Sequence, residues 1–282
     1  MPELPEVETV RRGLEGFIVG RKIVKITTFC EKSLVGDSSL AEGRKILEVG
    51  RRGKALLIVL EGKLNLMIHL RMTGQLVYVG KERFAAGHPS DDFWKEMPGK
   101  HTRVMFELDD GSMVYFNDQR KFGFVKVLSN GEMGEEKFLQ KLGPEPWELS
   151  AEAFLKRLQR RKNTSIKAAI LDQTIIAGVG NIYADEGLYC AGIYPGRRVN
   201  EVSGREAAKL LEGICKVMTD SIESGGSTMK DYVKADGTKG NYLEKFAQVF
   251  RREGQACGRC GKKILKTRIA GRGTHYCPGC QK

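Results

Sequence analysis

Gly143-Pro144-Glu145-Pro146 divides the sequence into two parts with different apolar periodicity. Two prolines in four residues stop regular structure. Upstream, runs rich in β-branched and aliphatic residues occupy 22–29, 44–50, 54–60, 64–70, 74–79, 102–108, 112–117 and 122–128. Asp109-Asp110-Gly111 between two of them is a hairpin signal. Consecutive short strands with tight turns predict antiparallel sheets packed as a sandwich or flattened barrel. A helix over about 5–16 precedes them, with Leu4, Val7, Val10 and Leu14 on one face. Residues 80–100 read as a longer connection without assigned structure. Downstream, Ser150 suits the N-cap of a helix reaching about Arg161. Ile166–Leu171, 182–189 and 205–221 complete a small helical bundle, and 224–242 reads as a long loop of the kind that often carries function. The expected class is α+β: an antiparallel β-sandwich with an N-terminal helix over 1–142, a linker at 143–149, a helical domain at 150–250 and a cysteine-rich end at 251–282.

The 282 residues suffice for two domains with their own cores. A hydrophobic share of 41% is ordinary for a globular chain. The longest aliphatic run, Ala55–Leu60, is far shorter than the ~20 residues that cross a bilayer. The acidic N-terminus lacks the apolar segment of a secretion signal, so no membrane association and a cytoplasmic location are expected. The net charge is +12, and it is clustered. Between Arg251 and Lys282 nine Lys/Arg face a single acid, Glu253, and Lys156, Arg157, Arg160, Arg161, Lys162 and Lys167 form a second group. Such patches attract phosphate backbones in a salt-dependent way. Three of the seven cysteines, Cys30, Cys190 and Cys215, sit in apolar contexts and read as buried free thiols in a reducing compartment.

Three stretches carry chemistry. Met1-Pro2-Glu3-Leu4-Pro5-Glu6-Val7-Glu8 would, after loss of Met1, expose Pro2 as the terminus. A free α-amino group titrates near ~7.7–8 and is therefore nucleophilic at neutral pH. Such an amine can form a Schiff base, with Glu3 beside it and Glu6 one helical turn on as proton donor and orienting group. With Met1 attached, the Pro2 nitrogen is an amide and this chemistry is closed. The same residues also suit an ordinary helix opening, because proline and acids are favoured in a first turn. Cys257-Gly-Arg-Cys260 and Cys277-Pro-Gly-Cys280 form two knuckles 16 residues apart. Four thiolates at this spacing close a tetrahedral, structural zinc site. Between them, 264–269 and 271–276 suggest a hairpin whose tip holds Arg272 between two glycines, rigid enough to offer it to a phosphate. Finally, 175–183 is a glycine-containing turn into a helix, with Asn181 suited to the N-cap, where backbone N–H groups receive phosphate. Lys54, at the start of a strand in Arg51-Arg52-Gly53-Lys54, reads on residue type alone as solvated, and Met72 and Phe122 as core residues.

These motifs together resemble the bacterial formamidopyrimidine-DNA glycosylase family, Fpg or MutM. The resemblance runs through the N-terminal string, Lys54, His69-Leu70-Arg71-Met72-Thr73-Gly74, Asp118-Gln119-Arg120-Lys121-Phe122-Gly123, Lys162 to Gln173, the Asn181 turn and the four cysteines. It implies a helix–two-turn–helix in the second domain, a zinc-bound β-hairpin and one structural zinc ion. By this resemblance Pro2 is the nucleophile and Glu3 the general acid, with Glu6 orienting the terminus. Lys54 and Arg272 assist proton transfer and hold phosphates. Met72, Arg120 and Phe122 fill the gap left by the extruded nucleotide, and His101, Lys162 and Asn181 contact the DNA backbone. Ser227, Thr228, Lys230, Asp231 and Tyr232 form the lesion-recognition loop. The implied activity is that of a monomeric, bifunctional glycosylase and lyase of base excision repair. It removes 8-oxoguanine and formamidopyrimidines from duplex DNA and cleaves abasic sites. Two rivals stand beside this expectation: an endonuclease VIII-like glycosylase for oxidised pyrimidines, against which Leu4 weighs, and a non-catalytic zinc-dependent DNA-binding protein.

Overall fold

The computed structural model describes residues 2–88, 96–225 and 246–282. These divide into two compact units, one running to Gln140, the other taking Lys141–Ser224 and 246–282. The expected loop 224–242 lies, beyond its first two residues, outside the described residues, and Ser227, Thr228, Lys230, Asp231 and Tyr232 lie there with it.

In the first unit, α1 (Leu4–Ile18) starts after Glu3, whose N–H is accepted by the Glu6 side chain one turn on. Pro5 sits in the first turn, where its missing N–H costs nothing. Leu4, Val7, Val10, Leu14 and Ile18 are all buried on one face, as the periodicity requires. The strands are β1 (Ile23–Thr28), β2 (Leu34–Val35), β3 (Ile46–Arg52), β4 (Ala55–Leu60), β5 (Leu64–His69), β6 (Gly74–Val79), β7 (Arg83–Gly87), β8 (Thr102–Leu108), β9 (Met113–Asp118) and β10 (Phe124–Ser129). They form two five-stranded sheets, ordered β1-β8-β9-β6-β7 and β2-β10-β5-β4-β3. Val49, Leu56, Ile58, Leu66 and Ile68 of one sheet share a core with Leu76, Val104, Phe106 and Phe116 of the other. Helix α1 packs on β7 and β3, one edge strand of each sheet. Its apolar face, Val7, Val10, Leu14 and Ile18, joins the core between the sheets.

The β-sandwich agrees with the sequence reading, with two additions. The segment 80–100 contains β7, whose Phe84-Ala85-Ala86-Gly87 has poor strand propensity and forms a strand because β6 and α1 pack on it. Strand β2 has only two residues and pairs parallel to β10, against the antiparallel expectation. Two short helices follow, α2 (Asn130–Glu135) and α3 (Lys137–Lys141).

The second unit contains α4 (Ala151–Leu158), capped by Ser150 as expected, α5 (Ile166–Leu171), α6 (Asn181–Ala191) and α7 (Gly204–Glu223). A two-stranded hairpin, β11 (Leu265–Ile269) and β12 (Arg272–Tyr276), closes it. Its turn, Ala270-Gly271, needs positive φ at both positions, 51° and 72°, which suits the right-handed twist of the strands. The three scattered cysteines are half-buried, not buried: Cys30 follows β1, Cys190 lies near the end of α6 and Cys215 lies on α7. No described helix is long and apolar enough to cross a membrane.

Candidate functional site

At the start of the first unit, Pro2 is buried and Glu3 and Glu6 are each only 2% exposed. Glu6 Oε2 accepts the Glu3 N–H at 2.7 Å. This fixes the peptide that joins Glu3 to Pro2, so the orientation of the terminus is set by α1 itself. Two residues beyond Glu6, Glu8 receives Arg11, Arg12 and Arg51. Burial pushes its carboxyl up, and the hydrogen bonds from those three arginines more than offset it, leaving it below the usual carboxylate range. Arg51 Nε meets Glu8 at 3.0 Å while Arg51 Nη1 donates to the Gly53 carbonyl at 3.1 Å. The strut ties α1 to the β3–β4 turn that presents Lys54. Lys54 is 9% exposed, so it is not the solvated lysine its type suggests. Sequence spacing shows Glu8 with Arg11 and Arg12 at helical intervals. The Arg51 contact, 43 residues away, has no such signal.

A second group protrudes from the same unit. Gly74 pairs with Asp118 across β6 and β9, so the turns before β6 and after β9 lie side by side. The first carries Met72, half-buried, and the second carries Arg120 and Phe122. Phe122 is 53% exposed and therefore no core residue, and the Arg120 guanidinium lies 4.8 Å over its ring. His101 lies in the turn just before β8.

Beneath this group His69 is buried, and its Nδ1 accepts the Arg71 N–H at 3.1 Å. Burial, then the charges of Arg71 and Lys54, push its imidazole down to about 3. Folding thus excludes a proton that the unfolded chain binds near 6.5. The stability gained from the neutral ring is complete above 6.5 and is lost progressively as pH falls toward 3. His69→Gln is expected to flatten the fall of melting temperature across that window, and an unchanged pH profile would refute the assignment.

In the second unit α6 supports the hairpin. Lys167, with 0% side-chain exposure, meets Asp185 Oδ1 at 2.6 Å, Thr274 Oγ1 at 2.8 Å and the Gly273 carbonyl at 3.2 Å. Asp185 Oδ2 accepts the His275 N–H at 2.9 Å, and His275 Nε2 reaches Glu253 at 3.0 Å. Glu186 accepts three backbone N–H groups, those of Gln248, Val249 and Phe250. Lys167 therefore does not belong to the cationic surface its neighbours Lys156, Arg160, Arg161 and Lys162 expose. Replacing it by Met leaves buried Asp185 short of its cation and is expected to cost about 3–5 kcal/mol in urea unfolding, where a loss below 1 kcal/mol would contradict the pairing. Asn181 is not the N-cap of α6; Gly180 is. Asn181 instead donates through Nδ2 to the Gly273 carbonyl at 3.0 Å, beside exposed Arg272. Asn181 is the first residue inside the helix, one position past the cap, so its side chain points its Nδ2 to the hairpin rather than closing the helix start.

The sulfur atoms of Cys257, Cys260, Cys277 and Cys280 all lie within 4.8 Å of one another. The Cys257–Cys280 and Cys260–Cys277 separations are 3.8 and 3.4 Å. A disulfide needs ~2.05 Å, whereas a tetrahedral zinc with bonds of ~2.3 Å spaces its thiolates by about 3.8 Å. The four residues fit a closed structural zinc, which cross-links the two knuckles and has no position left for substrate.

Sandwich, helical unit and four-thiolate hairpin define a zinc-stabilised DNA-binding protein of the helix–two-turn–helix class. Three family models match in order: the formamidopyrimidine-DNA glycosylase N-terminal domain over 1–125, the formamidopyrimidine-DNA glycosylase H2TH domain over 142–233, and the zinc finger found in FPG and IleRS over 254–282. The formamidopyrimidine-DNA glycosylase of Pelotomaculum thermopropionicum is 43% identical, covering 100% of this chain and 99% of its own. A solved Lactococcus lactis FPG mutant in complex with Fapy-dG-containing DNA matches with TM-score 0.86 at 33% identity over 100% of both chains. MutM from Thermus thermophilus matches with TM-score 0.84 at 38% identity over 99% and 98%. The chain belongs to the formamidopyrimidine-DNA glycosylase family.

Proposed function

We propose that this protein is a bifunctional glycosylase and abasic-site lyase that excises oxidised purines from duplex DNA. The observation that carries the reading is the pair of buried carboxyl groups next to Pro2, Glu3 and Glu6, with Glu6 holding the Glu3 N–H. The Pro2 nitrogen, freed of Met1, attacks the sugar C1′ as the glycosidic bond breaks, and Glu3 delivers the proton to the sugar or the departing base. The resulting iminium acidifies the neighbouring sugar proton. Successive β- and δ-eliminations then release the two flanking phosphates. Glu6 holds the terminus in place, and Lys54 and Arg272 move protons and hold phosphates. Met72, Arg120 and Phe122 occupy the vacated stack, while His101, Lys162 and Asn181 meet the DNA backbone. The loop Ser227, Thr228, Lys230, Asp231 and Tyr232 reads the flipped base. Zinc holds the hairpin, and no chemical step runs through it.

The sequence divisions at 143–149 and 251 would separate catalytic, helical and zinc-finger parts, and the protein would act as a cytoplasmic monomer. Borohydride trapping with duplexes containing 8-oxoguanine opposite cytosine, thymine glycol or no lesion tests the reading. Trapping and excision should be strongest with 8-oxoguanine. Preference for thymine glycol would support the pyrimidine-specific alternative, and binding without trapping would support a non-catalytic DNA-binding protein.

A further inference from the structure

Asp118, at the end of β9, is 0% exposed. Its Oδ1 accepts from Thr73 Oγ1 and from the Arg120 N–H at 3.1 Å, and its Oδ2 accepts from the Phe122 and Gly123 N–H groups at 2.8 and 2.7 Å. The Thr73 hydroxyl also accepts the Arg120 N–H at 3.0 Å. One carboxylate thus ties the turn behind Met72 to the turn bearing Arg120 and Phe122. The rest of Asp118 extends the same link, because its N–H donates to the His101 carbonyl at 2.9 Å and its carbonyl accepts Arg103 Nε at 2.7 Å.

These turns need such support. Arg71 and Lys121 have φ of 51° and 58°, and each directly precedes a protruding side chain, Met72 or Phe122. Left-handed backbone at such residues persists only where the surroundings over-determine it. Phe122 is more than half exposed and cannot be held by its own packing. Gly123 fits because a Cβ there would come within 2.7 Å of Phe116 Cζ and 3.2 Å of Asp118 Oδ2. Below the turns, β6 and β9 are joined by their own ladder from Gly74–Asp118 to Val79–Met113, which does not depend on the carboxylate.

We propose that Asp118, acting with the Thr73 hydroxyl, is the positioning residue that joins Met72, Arg120 and Phe122 into one preformed wedge, an inference resting on the glycosylase reading above. A wedge ordered before it meets DNA avoids the entropy of ordering two loops during extrusion of the base. Thr73 is then the coupling element, not a contact to the lesion.

The test compares Thr73→Val, Thr73→Ser and Asp118→Asn with the parent protein. It measures single-turnover excision of 8-oxoguanine, the fluorescence rise of 2-aminopurine beside the lesion, and borohydride trapping on a single-stranded abasic oligonucleotide. Thr73→Val should slow excision about 10- to 100-fold, the rate equivalent of one hydrogen bond to a charged acceptor, and reduce the fluorescence rise. Trapping on the single strand, which leaves no stack to fill, should stay within about twofold, and Thr73→Ser should restore both losses. Asp118→Asn should behave as Thr73→Val or worse; should it fail to fold, Thr73→Val decides alone. Parental excision and fluorescence with Thr73→Val, or an equal loss of single-strand trapping, would overturn the inference. A parent protein that leaves 8-oxoguanine untouched would instead overturn the glycosylase reading.

Discussion

One unremovable residue placed ahead of Pro2 is expected to abolish Schiff-base trapping and excision while leaving DNA affinity within a few-fold. The added peptide bond converts the secondary amine to an amide, whose lone pair is delocalised and cannot attack carbon. Removing a covalent nucleophile costs on the order of 10^3-fold or more, because the remaining groups only bind and polarise. Glu3→Gln should act differently. It retains the amine but removes the proton donor, so excision should fall about 10^2- to 10^4-fold while trapping on preformed abasic sites survives. Mass spectrometry of the parent protein locates the modification: the borohydride adduct should lie on a peptide beginning at Pro2. An adduct on Lys54, or full excision by the extended protein, would remove Pro2 from its role.

Stripping the metal should have the second large effect. Structural zinc contributes an apparent ~10–16 kcal/mol in zinc-finger peptides, more than so small a hairpin can replace with its own core. Cys277→Ser, or exhaustive chelation, is expected to melt the hairpin and lower DNA affinity at least ~100-fold, because Arg272 and the basic residues around it lose their fixed positions. Metal analysis should give one zinc per chain in the parent and none in the variant. Since the ligands are thiolates, zinc should also be released as pH falls. Tight DNA binding by metal-free protein would show that α6, through Glu186 and Asp185, suffices to hold this segment.

The face of α1, the strand runs and the cysteine spacing were legible because each is a local periodicity or a short interval along the chain. Strand β7 was not, because Phe84-Ala85-Ala86-Gly87 has no strand preference of its own and owes its form to β6 and α1. The cap of α6 was not legible for a similar reason: a capping residue and its neighbour, here Gly180 and Asn181, look alike until the backbone around them is known. Lys167 reads as one cation among six in its stretch, and only packing shows it buried against Asp185.

By itself the sequence determined the order of sandwich, helices and zinc hairpin, together with the proline–glutamate terminus, because those features are written in residue type and spacing. Tertiary structure decided which charges are paired and which side chains protrude: Arg51 reaching Glu8, Asp118 gathering Thr73 and the Phe122 turn, His69 kept neutral. Each of these depends on desolvation and on contacts between distant segments, and the free energy of a buried charge or an exposed ring is set by what surrounds it, not by its neighbours in sequence.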